Sequence, residues 1–161
     1  MMAFLASLFG RAEPRLSAAG PRDAADFAAI HAKAFRRGWS DTEFEQLLTD
    51  RTVLAHRVVV GRSTTGFILS RSGGDEAEIL SVAVSEAQRG RGLGALLVDR
   101  HLRTLAGRGV RAVFLEVEED NEPARRLYAR YGFDEVGRRP NYYANTDGAA
   151  SHALVLRRDL I

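Results

Sequence analysis

From Ala77 to Val117 the chain reads as a strand, a glycine-dense turn, a helix and a second strand. The run Ala77–Val84 leads to Arg89-Gly90-Arg91-Gly92-Leu93-Gly94; leucines then recur at helical spacing, and Ala112–Val117 is rich in β-formers. A crossover of this length joins parallel strands and is right-handed, so the middle of the fold is constrained before anything else is read. The same turn constrains function. Glycines at a helix start offer unpaired N–H groups at the favourable end of the helix dipole, here with two flanking arginines. This combination suits a phosphorylated cofactor.

The remaining elements follow from pattern and punctuation. A first strand fits Pro14–Ala19. A helix fits Asp23–Phe35, where Phe27, Ile30 and Ala34 share a face with a packed His31. Ser40-Asp41-Thr42-Glu43 is a capping box, with Ser40 as N-cap, Glu43 reaching back, and Trp39 and Phe44 at the staple positions of a helix over Asp41–Leu48. Leu54–Val60 and Gly66–Ser70 read as a hairpin around Gly61-Arg62-Ser63-Thr64, and Ser72-Gly73-Gly74-Asp75 as the next turn. The central helix runs Gly92–Ala106 with His101 as a packing residue, closing at Gly107 or Gly109. Asn121 or Asp120 caps a helix over Glu122–Tyr131 that Gly132 ends, and two strands finish the chain near Asp134–Arg138 and Ala153–Arg157. The order β-α-α-β-β-β-α-β-α-β-β, mostly hairpins around one crossover, predicts an α/β chain with a mixed sheet.

With 161 residues, 45% of them hydrophobic, the chain suits one domain over residues 15–161 preceded by an extension, residues 1–14. The apolar start MMAFLASLFG is shorter than a spanning helix and lacks the leading charge of a secretory signal. The expectation is a cytoplasmic protein, with a weak membrane-surface role for the extension as the alternative. The 23 basic residues are scattered among 21 acidic ones and all but Lys33 are arginines, so no nucleic-acid footprint is indicated. The absence of cysteine excludes disulfides, thiolate metal sites and a cysteine nucleophile, and no metal site is expected.

Which phosphate ligand is bound divides three ways. Gly90-x-Gly92-x-x-Ala95 satisfies the dinucleotide pattern, and Glu116 lies near the end of the next strand. Against it, Ser85 to Arg89 separates the strand from the first glycine, and too little chain follows for a doubly wound sheet. A nucleoside triphosphate would call for G-x-x-x-x-G-K-[ST], which does not occur. An ordinary glycine turn leaves the alternation of three glycines with arginines unexplained.

Arg89-Gly90-Arg91-Gly92-Leu93-Gly94 resembles the Q/R-x-x-G-x-G/A motif of the GNAT N-acetyltransferases, which bind coenzyme A. Asn121-Glu122-Pro123-Ala124-Arg125-Arg126-Leu127-Tyr128 through Gly132-Phe133 resembles their second signature, N-x-x-A-x-x-L-Y-x-x-x-G-F. The likeness spans about Leu16 to Leu156. Within the family the chain resembles the RimI type, which acetylates the N-terminal alanine of a ribosomal protein. Trp39-Ser40, Leu115-Glu116-Val117, Asn121, Tyr128 and Arg139-Pro140-Asn141-Tyr142-Tyr143, then Thr146-Asp147-Gly148, carry that narrower likeness. Ser151-His152-Ala153-Leu154-Val155-Leu156 departs from it, since that type carries an acidic residue before the alanine and a methionine soon after.

The resemblance implies the GNAT fold: a mixed sheet of about seven strands whose parallel central pair splays apart, flanked by about four helices. It implies that the pantetheine arm of acetyl-CoA lies along the backbone of Val82, Ala83 and Val84 like an added strand. The amides of Arg89, Gly90, Arg91, Gly92, Leu93, Gly94 and Ala95 would cradle the pyrophosphate. Asn121 would contact the pantetheine, a role compatible with capping a helix. Glu116, on the strand face shared with Phe114 and Glu118, would be the general base, directly or through water. Tyr128 would be the acid that protonates the departing sulfur, and an amide near Val84 the oxyanion donor. Trp39, Arg139, Tyr142 and Tyr143 would meet the acceptor.

Which amine is accepted has a physical lean. An α-amine with pKa about 8 is about 10% neutral at pH 7, whereas a lysine near 10.4 is below about 0.1% neutral. A single glutamate base thus suits a protein N-terminus better; Glu118, Glu119 and Asp120 read first as a solvated acidic loop, with a preference for a basic peptide as the alternative. The leading expectation is a protein N-terminal acetyltransferase, with a ribosomal protein as partner. A GNAT enzyme for a small amine and a non-catalytic coenzyme A-binding module are the alternatives.

Overall fold

The computed structural model describes residues 12–144 and 150–161, with residues 141–144 and 150 described by their backbone alone. The greater part of the expected extension 1–14, and Thr146-Asp147-Gly148, therefore lie outside the described residues. The elements are β1 (Arg15–Ala18), α1 (Ala24–Ala34), α2 (Asp41–Thr49), β2 (Val53–Val60), β3 (Ser63–Gly73), β4 (Glu76–Val84), α3 (Leu93–Gly107), β5 (Ala112–Glu118), α4 (Glu122–Arg130), β6 (Asp134–Ala144) and β7 (Ala150–Asp159). Short 3-10 turns precede α1 at Pro21–Asp23 and follow β4 at Glu86–Gln88. The order of elements is the one expected, and the seven strands form one mixed sheet, β1-β2-β3-β4-β5-β7-β6. Among the described residues only β4 and β5 pair in parallel; the other pairs are antiparallel.

Two apolar clusters cover the faces of this sheet. Beneath α3 and α4, Leu93, Leu97, Val98, Leu102 and Leu105 meet Val113, Leu115 and Val117 of β5. On the opposite face, Phe27 and Ile30 of α1 and Phe44 of α2 pack on Phe67, Leu69 and Ala83. The Phe27 ring stacks on Phe67 at 4.5 Å between centroids. His31 is buried here as expected, stacked between Phe35 and Trp39, and its Nδ1 accepts the Trp39 N–H at 3.1 Å.

Several boundaries differ from expectation for identifiable reasons. Ser63–Thr65 joins β3, so the hairpin turn shrinks to Gly61-Arg62, because Ser63 pairs with Val60. Gly73 likewise pairs with Glu76, leaving Gly74-Asp75 as the turn. β6 and β7 are longer than expected. Pro140 is tolerated because β6 is an edge strand and the register is interrupted between Arg139 and Tyr143. Half of the expected capping box forms: Ser40 Oγ accepts the Glu43 N–H at 3.1 Å, while no bond returns from Glu43 to the Ser40 N–H. α3 ends at Gly107, and Gly109 takes φ 87° as the chain leaves it. α4 ends one residue before Tyr131.

Candidate active site

The parallel pairing that defines the centre of the sheet is incomplete. β4 and β5 are in register from Glu76↔Ala112 to Ile79↔Leu115, and no pair follows. Yet β4 continues to Val84 and β5 to Glu118, each still paired on its outer side with β3 and β7. The sheet therefore opens between its two central strands at their carboxyl ends.

A bulge in β4 marks where they part. Leu69 pairs with Ser81 and Ser70 with Ile79, which leaves Leu80 as the extra residue. It also reverses the alternation of faces. Ala77 and Ile79 point into the cluster under α3 before the bulge, and Val82 and Val84 do so after it. Beyond Ile79, alternate residues of β4 turn their N–H and C=O groups toward the vacated side of the strand. Val82, Ala83 and Val84 thus present an edge to which an extended ligand can add.

At the mouth of this opening sits the arginine–glycine turn. Gly90 and Gly92 adopt φ 79° and 76°, a region that costs other L-residues about 1–2 kcal/mol. Gly92 is the N-cap of α3, so the amides of Leu93, Gly94 and Ala95 have no partner within the helix. The two arginine side chains tether the turn: Arg89 Nε donates to the Val84 carbonyl at 3.2 Å, and Arg91 donates to Gln88 Oε1. The Leu93 side chain is buried, so only its backbone faces the turn. Gly94 lies against α4, where a Cβ would come into ordinary contact with the Leu127 side chain at 3.4 Å. Tyr131 Oη donates to the Ala95 carbonyl at 3.0 Å and ties α4 to the same turn.

Glu116 is the first residue of β5 past the last parallel pair. Val113, Leu115 and Val117 are buried under α3, which puts Glu116 on the opposite face with Phe114 and Glu118. Its side chain keeps 21% of its surface and meets the Arg139 guanidinium at 3.0 Å. Tyr128 approaches from the other face. It is buried in the α3 cluster against Phe133, and burial pushes its phenol up to about 12. No described hydrogen bond involves its hydroxyl. Glu116 and Tyr128 thus lie on opposite faces of the sheet.

The other expected site residues lie at the start of α4, before α2 and in β6. Asn121 caps α4, its Oδ1 accepting the Ala124 N–H at 3.3 Å. Trp39 is packed against His31 and Phe44, and no described contact joins it to Glu116 or Arg139. Tyr142 and Tyr143 lie in β6, where Tyr143 pairs with Ser151; their side chains are outside the described residues. Glu119 in the acidic loop is paired with Arg138 at 2.8 Å, so the loop is less negative than its composition suggests. Two surface hollows lie elsewhere, one along α2 and one between α4 and the β6–β7 hairpin, and neither includes Glu116 or Tyr128. Among the described residues no group of His, Asp and Glu is arranged to hold a metal, and no helix is long and apolar enough to cross a membrane.

Sequence reasoning passed over two features. One is Ser81, whose hydroxyl is buried beside the bulge without a partner. The other is a buried chain, Ser70–His101–His56, beneath α3. A polar residue inside the apolar run Ile79–Val84 was the available signal for the first; nothing in the sequence joins the three members of the second.

Comparison with known proteins decides the family. The profile of the acetyltransferase (GNAT) family matches residues 24–133. This chain belongs to the GNAT acetyltransferase family. It is an acetyl-CoA-dependent N-acetyltransferase and resembles the RimI type within that family. It is 34% identical over 100 residues to the ribosomal protein bS18-alanine N-acetyltransferase of Haemophilus influenzae, covering 62% of this chain and 68% of the relative. The Escherichia coli enzyme of the same name is 32% identical over 119 residues, covering 74% and 80%. The crystal structure of the E. coli ribosomal-protein-S18-alanine N-acetyltransferase superposes with TM-score 0.87 at 27% identity, covering 92% of this chain and 94% of the other. Ard1 of Thermoplasma volcanium superposes with TM-score 0.81 at 28% identity, covering 92% and 98%.

Proposed function

We propose that this GNAT enzyme acetylates the N-terminal α-amine of a protein, with the alanine end of a ribosomal protein as acceptor, using Glu116 as base and Tyr128 as acid. The observation that carries this reading is the end of parallel pairing at Ile79↔Leu115, with Glu116 immediately beyond it and the glycine turn at the end of β4. The ribosomal acceptor is supported by the relatives in H. influenzae and E. coli, whose names specify that substrate.

The residues present fit the cosubstrate. The diphosphate would rest on the amides from Arg89 to Ala95, and the pantetheine along Val82, Ala83 and Val84 with Asn121 nearby. The reactive thioester then supplies an acyl group to the gap between the strands. Direct transfer needs the amine nitrogen to bond the acyl carbon as the carbon–sulfur bond breaks. One proton leaves the nitrogen and one reaches the sulfur. Glu116 takes the first. Tyr128, whose raised pKa keeps the phenol protonated throughout the neutral range, provides the second.

Arg139 has a role consistent with this division. Its guanidinium keeps Glu116 occupied by a cation, the charge type an arriving N-terminal ammonium brings. Tyr142, Tyr143 and Trp39 are assigned to the acceptor side on the RimI likeness.

The test is mass spectrometry of acetylation across a library of peptide N-termini, with a set of free small amines in competition. Acetyl transfer to alanine-initiated peptides supports the reading. Preference for small amines would move the enzyme to a different acceptor class, and binding of acetyl-CoA without turnover on any amine would refute it.

A further inference from the structure

Only two buried side-chain oxygens among the described residues have no hydrogen-bond partner, Ser81 Oγ and Ser151 Oγ. Ser81 retains 7% of its surface and lies in β4 directly after the bulge residue Leu80, two residues beyond the last parallel pair. A buried hydroxyl without a partner costs about 1–3 kcal/mol, and an alanine there would avoid the cost. Such groups in a native protein call for an explanation.

The face on which Ser81 lies supplies one. Ser81 pairs with Leu69, which belongs to the cluster under α1, and its neighbours Leu80 and Ala83 pack against that cluster. Glu116 is on the same side of the sheet, because Leu115 and Val117 point into the cluster under α3. Both follow the last register pair, Ile79↔Leu115: the next residue on β5 is Glu116, and the next on β4 are the bulged Leu80 and Ser81. Tyr128, assigned to the sulfur, is on the other face. The orphaned hydroxyl therefore borders the acceptor half of the reaction rather than the leaving-group half.

We propose that Ser81 is an acceptor-positioning residue: its hydroxyl hydrogen-bonds the incoming amine, or one water bound to it, and so aligns the transferable proton with Glu116. The proposal rests on the assignment of Glu116 as the base. A hydroxyl is suited to the task, since it both donates and accepts and can follow the nitrogen as it changes from amine to amide. The bulge fixes its position, because without Leu80 as the extra residue the parity of β4 would put residue 81 on the α3 face.

The experiment compares wild type, Ser81→Ala, Ser81→Thr and Glu116→Gln, using acetyl-CoA and an alanine-initiated peptide. Ser81→Ala is expected to lower kcat/KM for the peptide about tenfold, to leave KM for acetyl-CoA within about twofold, and to leave the melting temperature unchanged or raised. Ser81→Thr, which keeps the hydroxyl, is expected to stay within about threefold of wild type. A wild-type rate in Ser81→Ala overturns the proposal, as does a rate loss accompanied by a fall in melting temperature or a rise in KM for acetyl-CoA. If Glu116→Gln retains full rate, the base assignment fails first. If Glu116→Gln is slow while Ser81→Ala is not, only the role of Ser81 falls.

Discussion

Polar groups are treated in opposite ways in two parts of this molecule. Where α3 crosses β2 and β3 the strands are paired along their length, and the buried His and Ser side chains there are paired with one another. His56 Nδ1 and His101 Nδ1 lie 2.8 Å apart, Ser70 Oγ is 2.7 Å from His101 Nε2, and Thr104 Oγ1 is 3.5 Å from His56 Nε2. One arrangement of protons satisfies them all. Thr104 donates to the Arg100 carbonyl, so it accepts from His56 Nε2–H; His56 Nδ1 then accepts from His101 Nδ1–H, and His101 Nε2 accepts from Ser70. At the splay between β4 and β5 the pattern is reversed. The Ser81 hydroxyl and the amides after Gly92 have no partner within the fold, and no described hydrogen bond involves the Tyr128 hydroxyl. The first region uses its polar groups to hold the sheet to a helix, and on the proposed function the second keeps them for a ligand.

This contrast should separate rate from stability. Glu116→Gln is expected to reduce kcat by about 100- to 1,000-fold, since a positioned general base contributes on the order of 10²–10⁴. Its side chain is partly exposed and its one described ion pair is with an exposed arginine, so the melting temperature should hold within a few degrees. Steady-state kinetics beside thermal unfolding would decide. Large unfolding with modest rate loss would place Glu116 among the structural groups instead. Tyr128→Phe belongs to the same class: about 10- to 100-fold in kcat, without loss of stability, because its hydroxyl has no protein partner to lose.

His101→Ala should do the reverse. The ring is fully buried, and its removal opens a cavity while stranding Ser70 Oγ and His56 Nδ1. A cost of about 3–4 kcal/mol is expected, or roughly 10 °C in melting temperature for a chain of this size. Activity per folded molecule should be nearly unchanged well below that temperature. A catalytic collapse at a preserved melting temperature would break the division drawn here.

The same network predicts a pH dependence. Burial, with Arg100 and Arg108 nearby, pushes His56 down to about 4; burial, then His56 and Arg108, pushes His101 down to about 3. Both folded values lie below the ordinary 6.5, so the unfolded chain binds more protons throughout that interval. Their contribution is fully present above about pH 6.5 and is lost as pH falls toward 4 and 3. The slope is on the order of 1.4 kcal/mol per pH unit for each imidazole. Denaturant titrations at pH 7, 6 and 5 should show this decline in the wild type. Equal declines in the wild type and in His56→Gln would mean that the network is not its source.

The two regions also differ in how far the sequence revealed them. The crossover, the glycine turn and the α4 signature are local patterns, and the element order followed from them, with Glu116 on β5 and Tyr128 on α4. The buried chain joins residue 56 of β2 to residue 70 of β3 and residue 101 of α3, a contact set by tertiary packing that no short window contains. Ser81 was hidden for a related reason. Strict alternation along Ala77–Val84 assigns faces correctly only up to the bulge, and the bulge is created by pairing with β3. The long β6–β7 hairpin escaped because Pro140 reads as a breaker, until its place on an edge strand is known.

The smallest expected effect tests whether the turn belongs with the ligand site or with the scaffold. Gly92→Ala places a side chain at φ 76°, which costs about 1 kcal/mol, yet its Cβ would meet nothing within 4 Å. The fold should therefore survive with a loss of a few degrees. Relief of the strained φ would rotate the first amides of α3 away from a bound diphosphate. KM for acetyl-CoA should rise severalfold while kcat at saturation changes little, because neither Glu116 nor Tyr128 has moved. If instead kcat falls and KM is unchanged, the turn sets the geometry of the opening itself, and the open region is more tightly coupled to the closed one than the hydrogen bonds imply.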